Sequence, residues 1–139
     1  MLKIFTDGGA RGNPGPAGAG FVVLDGDEVI YEGSKFLGVK TNNQAEYLAL
    51  IMALTWVGEN KKIVTLKKIN FFLDSQLIVR QLNGVYKIKS ANIKTLAITA
   101  KFFLEKIDNK IKFAFVPREK NKLADALANK AMDEHVSNN

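Results

Sequence analysis

Apolar and polar residues alternate over residues 2–7, with Leu2, Ile4 and Thr6 set against Lys3, Phe5 and Asp7. A period of two is the pattern of a strand. Residues 18–25 are small, β-branched or aromatic and predict a second strand. Asp25-Gly26 marks a tight turn, and residues 28–37 return as a third strand. The period then changes. Tyr47, Leu50, Ile51, Leu54 and Val57 recur at helical spacing, which predicts a helix over 43–57. Thr41 and Gln44 stand as a capping box at its start. Ile69 to Leu73 is a short apolar run of the kind found in buried parallel strands. Ser75 caps a short helix through Leu82, with Gly84 as its stop. Ile93, Leu96, Ala97, Ala100, Leu104 and Ile107 form one face of a further helix. Ile111, Phe113 and Phe115 alternate in a last strand closed by Pro117, and Asn121 can cap a final helix whose inner face is Ala124, Leu127, Ala128 and Ala131.

The order is β-β-β-α-β-α-α-β-α. Hairpins first and helical crossovers later predict an α/β fold: one five-stranded mixed sheet, three antiparallel strands then two parallel, flanked by helices. Residues 1–135 read as a single domain and 136–139 as a disordered tail. Trp56, late in the first long helix, is assigned to the core.

Composition narrows the chemistry. The chain has no cysteine, so disulfides, thiolate metal sites and thiol nucleophiles are excluded. No run approaches a membrane span. The strand starting at Leu2 leaves no room for a signal peptide, so a cytoplasmic monomer is expected. The formal net charge of +6 favours a polyanionic partner. Lysines gather at Lys61, Lys62, Lys67 and Lys68, and again at Lys87, Lys89 and Lys94.

Against that basic background stand four acids: Asp7, Glu46, Asp74 and Asp125. Asp7 is read as the end of the first strand, running into the glycine-rich loop TDGGARGNPGPAG, residues 6–18. So few side chains there let another backbone come close. Asp74 closes the fourth strand. Two acids at neighbouring parallel strand ends emerge side by side, where open α/β sheets gather ligands. Glu46 and Asp125 lie early in helices, whose partial positive charge eases crowding. Four carboxylates in one pocket repel, and Mg²⁺, which prefers oxygen ligands, resolves the repulsion. Two such ions about 4 Å apart can drive phosphodiester cleavage. Each acid alone has an ordinary alternative. Asp74 can cap a helix, Glu46 can favour a helix dipole, and a glycine-proline loop can be only a turn.

Four blocks in order now resemble the type 1 ribonucleases H: FTDGGARGNPGPAGAGFVV (5–23), TNNQAEYLALIMAL (41–54), FLDSQLIVRQLNG (72–84) and FVPREKNKLADALANKAM (115–132). The resemblance spans nearly the whole chain. It implies the ribonuclease H-like fold and an endoribonuclease that cuts the RNA strand of RNA–DNA hybrids. It implies two Mg²⁺ or Mn²⁺ ions and products with 5′-phosphate and 3′-hydroxyl ends. Asp7, Glu46, Asp74 and Asp125 fall on the family's metal-binding acids. Gly8, Gly9, Asn13, Asn42, Asn43 and Gln44 match positions near the RNA strand, where amide groups can pair with a 2′-hydroxyl. The alternative is that Asn42 and Asn43 only cap the helix. Tyr86, Lys87, Ile88, Lys89 and Lys94, with Lys40, match the region that holds the DNA strand by its phosphates.

The chain departs from the family pattern twice. Gly84 to Asn92 is short and lacks tryptophan, where many bacterial members carry a basic protrusion. That resembles the compact branch, in which activity on double-stranded RNA is sometimes found. The loop before the last acid has Arg118 in place of a histidine, and Arg118 can meet the scissile phosphate or pair with Glu119. His135 is the only histidine and is assigned to solvent. Other metal nucleases of this fold, a non-catalytic binding module and a domain of a larger polymerase are the rival readings.

Overall fold

The computed structural model describes residues 1–84 and 87–137. Strands β1 (Leu2–Ala10), β2 (Gly15–Asp25) and β3 (Glu28–Lys40) form the antiparallel meander that the residue pattern and the Asp25-Gly26 turn predict. Helices α1 (Asn42–Glu59) and α2 (Lys61–Val64) lead to β4 (Ile69–Leu73). Helices α3 (Gln76–Leu82) and α4 (Ala91–Glu105) cross to β5 (Ile111–Phe115). A single 3₁₀ turn, Arg118–Lys120, precedes α5 (Lys122–Ser137). The strands stand in the order β3-β2-β1-β4-β5, with β1, β4 and β5 parallel.

Several boundaries differ from the sequence reading, β3 running to Lys40 and α1 to Glu59 among them. β1 does not stop at Asp7 but runs on to Ala10, and β2 begins at Gly15. The ladder continues through Gly8↔Ala19 and Gly9↔Gly18 to Ala10↔Ala17 because backbone pairing needs no side chains. At the other end, α5 continues through Ser137, two residues into the expected tail. Asn138 and Asn139 lie outside the described residues.

Sequence periodicity accounts for the layers. Leu2 and Ile4 are fully buried in one core with Tyr47, Leu50, Leu54 and Val57 of α1. Phe5, on the opposite face of β1, stacks on Phe72 of β4 with ring centroids 4.8 Å apart. Trp56 is buried in the core as expected, 5.6 Å from the Tyr31 ring. Each large side chain taken out of water contributes about 1.5–3 kcal/mol, which outweighs the modest strand and helix propensities. The α1 capping box is formed: Gln44 N–H donates to Thr41 Oγ1 at 3.2 Å, and Thr41 N–H donates to Gln44 Oε1 at 2.9 Å. Helix α5 buries Ala124, Ala128, Ala131 and Met132. Small residues on that face let it lie close to β2. No helix among the described residues is long and apolar enough to cross a membrane.

Candidate active site

Strand register places the first two acids. The parallel ladder between β1 and β4 ends at the pair Thr6↔Leu73. Asp7 and Asp74 are each the next residue, so they stand side by side where β4 stops and β1 continues. Glycines bring the other two acids to them. A methyl group at Gly8 would collide with the carbonyl of Ala45, so only glycine lets the start of α1 settle on β1 and deliver Glu46. On the opposite face, Asp7 pairs with Gly20. A methyl group at Gly20 would lie 2.6 Å from the Ala124 carbonyl oxygen, so α5 seats there and delivers Asp125. The backbone that the glycine-rich segment admits is the chain's own.

The resulting centre is compact. One carboxylate oxygen from each of Asp7, Glu46 and Asp74 lies within 4.8 Å of the others. Asp7 is 5% and Glu46 7% exposed, while Asp74 is half-buried. Asp125 is outside this tight trio but lies in the first turn of α5, close enough that it adds to the upward shift of the Asp7 carboxyl. Burial, then the charges of Asp74 and Asp125, raise the Asp7 carboxyl to about 7. Glu46 is raised well above the ordinary carboxylate range, first by burial and then by Asp7 and Asp74, with the Gly8 backbone N–H partly offsetting this. Acids pushed this way lack a counter-charge. Glu46 Oε2 is buried without a hydrogen-bond partner. An all-oxygen donor set with one orphaned carboxylate oxygen fits a hard divalent cation.

The capping alternative for Asp74 fails. Ser75 is the N-cap of α3, accepting from Ile78 N–H at 3.3 Å. Asp74 Oδ2 instead accepts a hydrogen bond from Asn121 Nδ2 at 3.2 Å. Asn121 is the residue that sequence reasoning missed. Its side chain does not cap α5; it is 1% exposed, turned inward, and also donates to the Thr6 carbonyl at 2.9 Å. An asparagine before a helix reads as a cap from local pattern alone, and nothing nearby in sequence signals the inward turn.

The expected nucleic-acid contacts divide into two groups. Asn42 Oδ1 accepts from Ala10 N–H at 2.9 Å, and Asn13 Oδ1 accepts from Asn42 N–H at 3.0 Å. Two amide oxygens thus tie the β1–β2 turn to the start of α1, while the Gln44 oxygen closes the α1 capping box. Their donors are backbone N–H groups, which assigns the oxygen of each amide to that contact and leaves its NH₂ to other contacts. Asn43 is exposed and caps nothing, since Thr41 is the N-cap. Gly8 N–H is directed to Glu46. Gly9 continues β1 beside Gly18. Lys87, Lys89 and Lys94 are exposed and Lys40 is half-buried, while Tyr86 lies outside the described residues.

Arg118 is exposed in the 3₁₀ turn and makes no ion pair with Glu119 among the described residues. His135 is not simply solvated: its ring stacks on Phe36 with centroids 3.7 Å apart. Lys61, Lys67 and Lys68 line a cavity of about 520 Å³ at the opposite end of β4 from Asp74. That lysine group therefore does not serve the acids.

Known proteins carry the same pattern. The family described as "Reverse transcriptase-like" matches residues 5–131. The chain is 39% identical over 134 residues to Ribonuclease HI of Halobacterium salinarum, covering 96% of this chain and 65% of that protein. It is 39% identical over 137 residues to the Bifunctional protein Rv2228c of Mycobacterium tuberculosis, covering 95% of this chain and 35% of that one. The chain thus spans only part of the length of these relatives. Among solved structures, LC11-RNase H1 in complex with an RNA/DNA hybrid superposes with a TM-score of 0.93 at 40% identity, covering 98% of this chain and 99% of that one. A five-stranded mixed sheet with an acid cluster where β1 and β4 part defines a ribonuclease H-like domain. The chain belongs to the type 1 ribonuclease H family.

Proposed function

We propose that this protein is an endoribonuclease that hydrolyses the RNA strand of RNA–DNA hybrids with divalent metal, leaving 5′-phosphate and 3′-hydroxyl ends. The observation that carries the reading is the trio of Asp7, Glu46 and Asp74 with Asp125 against it. These four carboxylates would hold the Mg²⁺ ions, or Mn²⁺ in their place. Divalent cations held there supply charge neutralisation at the scissile phosphate and an activated water.

The chain's own groups do the rest. Asp7 and Glu46 are held rigidly by strand register and by the packing of Gly8 on Ala45, so little reorganisation is needed when charge arrives. The NH₂ groups of Asn13, Asn42 and Gln44, with exposed Asn43, sit on the β1–β2 turn and the first turn of α1, the helix that also carries Glu46, and are the donors offered to the RNA strand. Such donors suit the 2′-hydroxyl of an RNA strand, which a DNA strand lacks. Lys87, Lys89, Lys94 and Lys40 supply phosphate contacts that set register without reading sequence. Arg118 projects from the turn between β5 and α5 and is free to meet a phosphate oxygen. The reading includes a side activity on double-stranded RNA, whose strands also carry 2′-hydroxyls, and a cytoplasmic monomer.

A substrate panel tests this. Labelled hybrid, double-stranded RNA and double-stranded DNA are incubated with Mg²⁺, and the product ends are mapped. Hybrid is expected to be cut fastest, and DNA not at all. Equal cutting of DNA, or RNA products with 3′-phosphates, rules the reading out.

A further inference from the structure

We propose that Asn121 is a positioning residue of the carboxylate centre, its buried amide fixing Asp74 in the rotamer that meets Asp7 and Glu46. The proposal rests on the divalent-cation reading above and adds a residue to it.

The geometry singles Asn121 out. One nitrogen, Nδ2, donates both to the Thr6 carbonyl at 2.9 Å and to Asp74 Oδ2 at 3.2 Å. The first contact anchors the amide to β1 one residue before Asp7. The second reaches the acid that follows β4. The Asn121 backbone carbonyl accepts from Asp125 N–H at 3.0 Å, opening the helix that carries the fourth acid. A single residue thus joins the three elements that bear Asp7, Asp74 and Asp125. Packing alone does not explain the choice. Asn121 Oδ1 is buried and has no hydrogen-bond partner, a net cost that an apolar residue would avoid. A polar side chain kept at such a cost is expected where it serves a site rather than the fold.

With one Asp74 oxygen tied to Nδ2, the carboxylate cannot rotate freely away from its neighbours. Removing the donor leaves Asp74 at the right place in the chain but loose in rotamer. Outer partners of this kind typically alter metal affinity or activity by about 10–100-fold when removed.

The test is divalent binding measured by calorimetry on the wild-type chain, Asn121→Ala and Asn121→Ser, with Mn²⁺ as the titrant and no nucleic acid. Thermal melting is run alongside, and Asn121→Ser is the fallback if the alanine variant does not fold. The expected result is roughly tenfold weaker Mn²⁺ binding in the variants. Hybrid cleavage by the variants is expected to recover as Mn²⁺ is raised, whereas Asp74→Asn does not recover. Combining Asn121→Ala with Asp74→Asn is expected to weaken Mn²⁺ binding no further than Asp74→Asn alone. Unchanged Mn²⁺ affinity with only a lower melting temperature makes Asn121 a packing residue and overturns the proposal. A wild-type chain that binds no Mn²⁺ overturns the cation reading itself, and this proposal with it.

Discussion

The backbone of Gly8 in β1 lies directly against the carbonyl group of Ala45 in α1, one residue before Glu46. The contact is with backbone, which cannot rotate out of the way. Gly8→Ala must therefore push α1 off the sheet and carry Glu46 away from Asp7. A destabilisation of about 1–3 kcal/mol is expected from overpacking, together with loss of cleavage. Denaturant melts and a hybrid-cleavage assay check both. An alanine variant with wild-type stability and rate contradicts the close packing.

Asp7→Asn separates stability from activity. The substitution removes a buried charge that Asp74 and Asp125 oppose, and keeps the side chain's shape. The cation-free variant is expected to be roughly 1–2 kcal/mol more stable than wild type near neutral pH, while hybrid cleavage falls to background. Melting curves recorded in chelator measure the first effect. A variant less stable than wild type shows that the Asp7 charge is compensated in the folded chain.

The same acid sets a pH dependence. The Asp7 carboxyl rises from its ordinary value of 3.8 to about 7 on folding, chiefly through burial. Between those values the folded chain holds more protons than the unfolded chain, so stability falls as pH rises through the window. Glu46 shifts in the same direction. Relative to Asp7→Asn, which lacks the titration, the cation-free wild type is expected to lose melting temperature between ~pH 4 and ~pH 7. Added Mg²⁺ is expected to raise the melting temperature more above this window than within its acid end, since it binds the ionised acids. A wild-type advantage that grows with pH in chelator contradicts the shift.

Arg118→Ala tests the loop that lacks a histidine. Arg118 is exposed and unpaired with Glu119, so its loss leaves the carboxylates in place. Turnover is expected to fall about tenfold with Mn²⁺ affinity unchanged, the size of one charge-assisted hydrogen bond made at the phosphate. Unchanged turnover removes Arg118 from the mechanism.

Much of the fold and of the acid cluster is legible in the sequence. Alternation located the first and last strands, composition and the Asp25-Gly26 turn located the second and third, and the apolar run before Asp74 gave the parallel partner of β1. The capping box at Thr41 and Gln44 formed as read. The acids could be picked out because the end of β4 and the starts of α1 and α5 are local features that patterning reports. What stayed hidden depends on contacts distant in sequence. Glycines have no side-chain period, so the continuation of β1 past Asp7 was invisible. Asn121 obeys the local rule for a cap, but tertiary packing turns its amide toward Thr6 and Asp74. Asn13 and Asn42 read as ligand groups, yet their oxygens first hold the turn to α1. The Phe36 ring that covers His135 comes from β3, far earlier in the chain.

The most direct measurement is cleavage of a hybrid labelled in its RNA strand, with and without Mg²⁺, by the wild-type chain and by Asp74→Asn. Internal RNA cuts that require the cation and vanish in the variant are the predicted result. Cuts that persist in chelator, or that proceed undiminished in Asp74→Asn, contradict a metal centre built on these carboxylates.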